Sequence, residues 1–212
     1  MIKKNLKTLI ITSIIILLPI VAGLILWDKL PEKIPMHFNA QGEADGYGSR
    51  ALAVFGMPLF MLAMQWICMA ASSLDPKSKN ITKKSINLVL WIIPAISLLV
   101  SGVVYAFSLG EEFNVGTVMV IFFGFFFIVI GNYLPKCKQS YTIGIKISWT
   151  LDSTENWNYT HRLAGKVWVI GGIVLIATAF FNLVWIYPSV FVIMVAVPFI
   201  GSYLFYKKES KK

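Results

Sequence analysis

Six apolar runs decide what this chain can fold into. Residues 8–27, 51–71, 86–109, 115–134, 165–186 and 188–206 are each almost uninterrupted hydrophobic sequence close to a bilayer's thickness in helical length. About twenty apolar residues cross the roughly 30 Å hydrocarbon core as a helix. In lipid the backbone must also satisfy its own hydrogen bonds, so helices are the expected form. The composition agrees: 57% of the 212 residues are hydrophobic and 14% are charged, with a mean hydropathy of +0.73. Soluble domains carry about 25% charged residues. The expected fold is therefore an all-α integral membrane protein with six transmembrane helices.

The last two runs together exceed forty residues, too long for one crossing, which predicts a tight turn at Tyr187-Pro188. Pro58, Pro94 and Pro198 are expected to kink their helices, because proline removes a helical donor and crowds the preceding turn. Lys3, Lys4 and Lys7 precede the first run as they would in a signal peptide. That run is longer than a usual signal core, however, and residues 24–27 offer no small-residue cleavage pattern, so a retained first helix is expected. No repeat, linker or low-complexity tract divides the chain, which reads as one polytopic membrane domain over 1–212 with an N-terminal helix pair at 1–71.

Charge orients the bundle. Of the nineteen Lys and Arg residues, sixteen fall in the N-terminus, the segment between the second and third runs, the segment between the fourth and fifth, and the tail. The other side has only Lys29, Lys33 and Arg50. By the positive-inside rule both termini are expected in the cytoplasm and residues 31–50 outside. The net charge of +9 is then accounted for by topology and anionic lipid, and direct nucleic-acid binding is not expected. Cys68 and Cys137 both map to the reducing side, so free thiols are expected.

The runs hold no Asp, Glu, Lys, Arg or His apart from Lys166 at an edge. Ion-coupled carriers normally place such groups at mid-membrane. Gln65 and Asn182 are the deep polar residues, expected to hydrogen-bond between helices. The aromatic run at 122–127 is expected to pack or to face lipid.

The outer segment PEKIPMHFNAQGEADGYGSR, residues 31–50, concentrates polar chemistry. A calcium loop starting at Asn39 would need glycine at its sixth position and glutamate at its twelfth, where Ala44 and Arg50 stand. Zinc needs a denser set of His and Cys ligands than His37, Glu43 and Asp45 provide. No metal site and no cofactor is expected, and no nucleophile-base pair is evident. Pro31 and Pro35 favour extended backbone, while Gly42, Gly46 and Gly48 permit tight turns. A compact loop displaying His37, Phe38, Asn39, Glu43, Asp45 and Tyr47 reads either as a ligand-recognition surface or as a cap on the bundle.

In the inner segment, Tyr141, Ile143, Ile145, Ile147, Trp149 and Leu151 alternate with Thr142, Gly144, Lys146, Ser148 and Thr150. Period two over residues 141–151 predicts an extended strand with one apolar face. Asp152 and Glu155 are spaced as an N-cap and its third helical residue. A helix carrying Trp157, Tyr159, His161 and Arg162 should follow and run into the fifth span, its aromatics forming an interfacial belt.

Both segments resemble a known family. Leu30-Pro31, Ile34-Pro35, His37-Phe38-Asn39, Gly42 and Asp45 are similar to the LPxxIPxHFNxxGxxD motif of a small outward domain that accompanies SdpI-type membrane proteins. Gly131-Asn132, Pro135, Gly144-Ile145-Lys146, Trp149-Thr150-Leu151, Trp157, His161-Arg162, Gly165 and Gly171 resemble the SdpI core, which would occupy 115–206. The chain departs from that pattern at Ser140 for an asparagine, Lys146 for an arginine and Ile147-Ser148 for Thr-Pro. Lysine cannot make arginine's planar two-pronged contact. The resemblance implies an immunity protein of a bacterial cannibalism system, which shields its cell from a secreted membrane-active peptide toxin. It further implies a second task, holding an ArsR-type winged-helix repressor at the membrane. The outer face would then meet toxin, while Lys146, Trp149, Trp157, His161 and Arg162 would form the inner partner face. A small-solute or peptide carrier, and a membrane enzyme with His37 or His161 as base, are the alternatives from other classes.

Overall fold

A computed structural model describes residues 1–39, 42–181, 183 and 185–210. Its long helices are α1 (Ile2–Ile25), α2 (Met57–Leu74), α3 (Lys83–Ser108), α4 (Val115–Tyr133), α6 (Thr154–Thr178) and α7 (Ile186–Glu209), with a short α5 (Ser148–Asp152) before α6. All six long helices have the length and apolar composition to cross a membrane. Between α1 and α2 lies an antiparallel hairpin, β1 (Lys33–Phe38) and β2 (Ala44–Ser49). The chain is a multi-pass membrane protein that folds as two compact units.

The first unit comprises Met1–Leu74 and Ile86–Val115. Along α1 the buried residues are Asn5, Leu9, Thr12, Ile16, Pro19 and Gly23, spaced alternately four and three, which is the 3.5-residue repeat of a helix-packing seam. Ile14, Leu18, Val21 and Ile25 form the exposed apolar face opposite, suited to lipid. Because lipid tails are as apolar as leucine, polar contacts and close packing must hold the seam together. Gln65 Nε2 donates to Thr12 Oγ1 at 2.8 Å, Ser97 Oγ to the Ile16 carbonyl at 3.2 Å and the Tyr105 hydroxyl to the Pro19 carbonyl at 3.1 Å. Gln65 is thus interhelical, as expected; Asn182 lies outside the described residues.

The second unit comprises Asp75–Ser85 and Gly116–Lys212. Antiparallel α4 and α6 approach backbone to backbone at two reciprocal glycine pairs. A Cβ on Gly165 would stand 2.7 Å from the Gly131 carbonyl oxygen, and one on Gly124 would stand 2.8 Å from that of Gly172. The two pairs are two helical turns apart on both helices, so small residues line one stripe of each. Gly131, Gly165 and Gly171 were picked out by their motif, whereas Gly124 and Gly172 were not.

Three local expectations need correction and one an addition. The break before the last span falls ahead of Tyr187-Pro188, which lie in the first turn of α7, where proline's missing N–H costs little. Pro58 lies inside the continuous helical run Leu52–Leu74, just after its π-helical turn at Leu52–Gly56, while Pro19 is a further interior proline, in α1. The N-cap of α6 is Ser153, whose Oγ accepts from the Asn156 N–H at 3.1 Å; Asp152 instead ends α5. Finally, residues 141–147 form no strand and 148–152 are helical. Their backbone donors are taken by side chains rather than by a neighbouring strand, as set out below.

Candidate recognition surfaces

The β1–β2 hairpin, expected on the outer side, stands on a small apolar core of its own unit. Leu30 and Ile34 pack with Ala53, Val54, Val104 and Tyr105. Arg50 fastens the hairpin's base: its guanidinium donates to the Trp27 carbonyl at 2.5 Å and lies 5.0 Å from that ring's centroid. Gly42, with φ of 82°, provides the turn. Gly46 and Gly48 do not: they are the inward positions of β2, where a Cβ would collide with His37 Cβ and Met36 Sδ respectively. The strand alternates inward and outward accordingly, and Asp45, Tyr47 and Ser49 face out.

On β1 the register shifts around His37, an irregularity of the kind that re-aims a side chain. His37 Nδ1 lies 2.5 Å from Asp45 Oδ1, with 73% of the histidine side chain exposed. Phe38 packs edge-on against Phe107 at 5.1 Å. Asn39 braces the turn, donating from Nδ2 to Glu43 Oε2 and accepting the Glu43 N–H, each at 3.0 Å. The outward face thus brings His37, Glu43, Asp45 and Tyr47 together. Phe38 and Asn39 hold the shape beneath and beside it.

The segment 141–151, expected on the inner side, is organised around a residue absent from the sequence expectations, Asp75. One carboxylate oxygen accepts the Lys77 N–H at 2.7 Å. The other accepts the Tyr141 N–H at 2.9 Å, the Thr142 N–H at 3.0 Å and the Thr142 hydroxyl at 2.8 Å. Burial raises the Asp75 pKa, but these four donors outweigh it and hold the carboxyl below its ordinary range. Gln139 adds a clamp, donating from Nε2 to the carbonyls of Thr150 and Leu151 at 2.8 Å and accepting from Lys77 Nζ at 2.6 Å.

His161 supports the middle of the segment. Its Nε2 accepts the Ile145 N–H at 2.9 Å, so the proton must sit on Nδ1, which donates to the Trp157 carbonyl at 2.8 Å. The ring stacks on Trp157 with centroids 4.0 Å apart, and Trp157 Nε1 donates to the Cys137 carbonyl at 2.8 Å. Gly144, with φ of 119°, lies against this stack; a Cβ there would be 2.5 Å from His161 Nε2. The Thr150 hydroxyl donates towards the Ile145 and Ile147 carbonyls and accepts the Ile147 N–H. Ser140, the departure from the expected asparagine, both donates to the Ile143 carbonyl and accepts its N–H.

Trp157 and His161, expected as an interfacial aromatic and a surface group, are fully buried. They are the floor of the segment. Lys146 and Arg162 are exposed, and Trp149 is half-buried with its Nε1 donating to Ser202 Oγ at 2.8 Å. Ser202 belongs to a buried set with Asn156 and Thr160 that fastens α6 to α7. Lys146 borders a groove of about 220 Å³ with Ile145, Ile147, Trp168 and Met194 among its walls. Among the described residues no three His, Cys, Asp or Glu side chains are grouped as metal ligands.

Residues 136–205, which contain this assembly apart from Asp75 and Lys77, match the SdpI/YfhL protein family, and residues 14–62, which contain the β1–β2 hairpin, match a domain of unknown function, DUF1648. Immunity protein SdpI of Bacillus subtilis (strain 168) is 28% identical over 214 residues, covering 97% of this chain and 97% of that protein. The chain resembles the SdpI-type proteins from end to end. No solved structure matches it. In this chain the Trp157–His161 stack leaves no room for a Cβ on the glycine of the Gly144-Ile145-Lys146 motif, and His161 serves as an acceptor.

Proposed function

We propose that the chain is a membrane immunity protein that protects its own cell from a secreted, membrane-active peptide. The single observation that carries this reading is the similarity to Immunity protein SdpI across 97% of both chains. The charge split supports an outward hairpin, whose His37, Glu43, Asp45 and Tyr47 give an incoming peptide a compact face of mixed charge with one aromatic. The inner segment supports a second, cytoplasmic task. Lys146 is exposed on it and Arg162 is exposed on α6; with Trp149 they would offer docking points for a soluble regulator of the ArsR-type winged-helix class. The protein acts by binding rather than by catalysis.

The two tasks are separable. His37, Asp45 and Tyr47 replaced together by alanine remove the outward groups while leaving Asn39, Gly42 and the β1–β2 register that shape the hairpin. Lys146 and Arg162 replaced by alanine remove the inner cations and leave the buried Trp157–His161 floor intact. The readouts are survival of a sensitive host challenged with medium from the toxin-producing cell, and membrane recruitment of a fluorescent regulator, at matched membrane abundance. The outer variant should lose protection and the inner one recruitment. Full protection by the outer variant would remove the hairpin from the recognition role.

A further inference from the structure

The geometry points to a binding site for one anionic phospholipid between α6 and α7, at the inner boundary of the hydrocarbon. The site is a groove of about 530 Å³ lined by Glu155, Asn158, Tyr159, Arg162, Leu163, Lys166 and Phe205. One face of α6 is buried through Asn156, Trp157, Thr160, His161, Ala164 and Gly165. The groove residues lie on the opposite stripe at helical spacing. Arg162 and Lys166, one turn apart, are exposed and have no ionic or hydrogen-bonding partner among the described residues. Tyr159 stacks on Phe205 with centroids 4.8 Å apart, and Gly201 lets α7 close on Leu163, so the groove has an apolar wall.

The length of α6 sets the depth of this groove. The span Thr154–Phe181 has 28 residues, about 42 Å at 1.5 Å per residue, which exceeds the roughly 30 Å hydrocarbon core. Its far end carries the exposed aromatics Phe180, Phe181 and, past the turn, Trp185, the mark of an interfacial belt. About twenty residues back from Phe181 is the reach of the hydrocarbon, and that reach ends at Arg162. The Arg162 guanidinium and the Lys166 ammonium, which can extend towards the same level along its flexible stem, therefore flank the plane of the lipid phosphates. Leu163 lies on the acyl side, the Tyr159–Phe205 pair walls the groove at headgroup level, and Glu155 and Asn158 lie further out, where headgroup hydroxyls would donate to them. Two cations against one carboxylate select an anionic lipid, and the acceptors beyond the phosphate suit a glycerol-type headgroup.

This proposal does not rest on the immunity reading, because it is tested on purified protein with neither toxin nor regulator. Detergent-solubilised full-length chain is titrated with phosphatidylglycerol, or with phosphatidylcholine of the same chains, and bound lipid is counted by native mass spectrometry. The wild type should hold one phosphatidylglycerol in clear preference to phosphatidylcholine. Each cation near lipid contributes about fivefold in affinity, so Arg162→Gln with Lys166→Gln should weaken retention by roughly 30-fold. Lys207→Gln with Lys208→Gln removes the same charge outside the groove and should change retention less than about twofold. Equal binding of the two lipids by wild type overturns the site without any variant. An equal loss in the Lys207/Lys208 variant overturns it in favour of general surface attraction. Displacement of the lipid by excess inorganic phosphate alone overturns the lipid as occupant.

Discussion

Replacing Asp75 tests whether the inner segment is held by one carboxylate. Asp75 is 4% exposed and accepts four hydrogen bonds, two of them from the Tyr141 and Thr142 amides. Alanine would leave those amides and the Thr142 hydroxyl facing a void. A buried donor left unsatisfied costs about 1–3 kcal/mol, so Asp75→Ala should loosen the segment by roughly 3–5 kcal/mol, allowing for partial rescue by water. Asparagine has the same shape but one oxygen fewer. It can keep the three bonds on the 141–142 side in weaker, uncharged form, and it then points an N–H at the Lys77 N–H, for a loss of about 1–2 kcal/mol. Hydrogen exchange of the Tyr141 and Thr142 amides in detergent reads both. Exchange should accelerate about 100-fold or more in Asp75→Ala and about tenfold in Asp75→Asn, at one tenfold per 1.4 kcal/mol. Amides that exchange at the wild-type rate in Asp75→Ala would refute the argument, since the carboxylate would then hold nothing.

The same bonds give a pH dependence. The folded pKa of Asp75 lies below its ordinary value of 3.8, so its stabilisation is complete above that value and is lost as pH falls through the folded pKa. Acid exposure of the segment to protease should begin below about pH 4 and should have no counterpart in Asp75→Asn. The Cys137 thiol, pushed up by burial against a smaller opposing bond from Ser85 and donating to the Tyr133 carbonyl, should resist alkylation at neutral pH until the protein is unfolded. Gly165→Ala, whose Cβ would meet the Gly131 carbonyl and the Pro135 ring at 2.7 Å, should lower stability by about 1–3 kcal/mol, seen as a fall in the detergent melting temperature. Arg50→Ala should cost the hairpin base about 1–3 kcal/mol, measured as faster exchange of the β1 and β2 amides. A phosphatase reporter fused after Glu43 should be active and one fused after Asp152 inactive; the reverse would invert the assignment of the two faces.

Hydrophobicity made the membrane spans legible, because about twenty apolar residues leave the backbone few alternatives in lipid. Span boundaries were less so. The helix that carries the fifth span begins at Thr154 rather than near Gly165, because Asn156, Thr160 and His161 are polar in sequence yet satisfied inside the fold. Hydropathy alone cannot distinguish a polar residue facing water from one bonded within a packed unit. The outer hairpin was half legible: its prolines announced extended backbone, but Gly46 and Gly48 looked like turn residues. Glycine is depleted in strands, and here it is tolerated because Met36 and His37 occupy the space a Cβ would need.

The inner segment shows why a pattern can be correct in spacing and wrong in structure. Period two describes a strand only where a neighbouring strand takes the backbone donors; with no such partner, each donor must be satisfied singly. Here the partners come from four separate places: Asp75 for Tyr141 and Thr142, Ser140 for Ile143, His161 for Ile145 and Thr150 for Ile147. The residues that fix this segment therefore lie up to 67 positions away in sequence, where no local window could register them. The motif reached the nearer of them, though not Asp75. Gly144, Thr150, Trp157 and His161 were singled out together for their resemblance to a family, and they are the residues in contact under the segment. The sequence reading placed Trp157 and His161 on the docking face; burial moves them beneath it. An exposed lysine at 146 can then differ from the family's arginine without disturbing the buried set, because among the described residues its Nζ reaches the Thr142 carbonyl alone, at 3.4 Å.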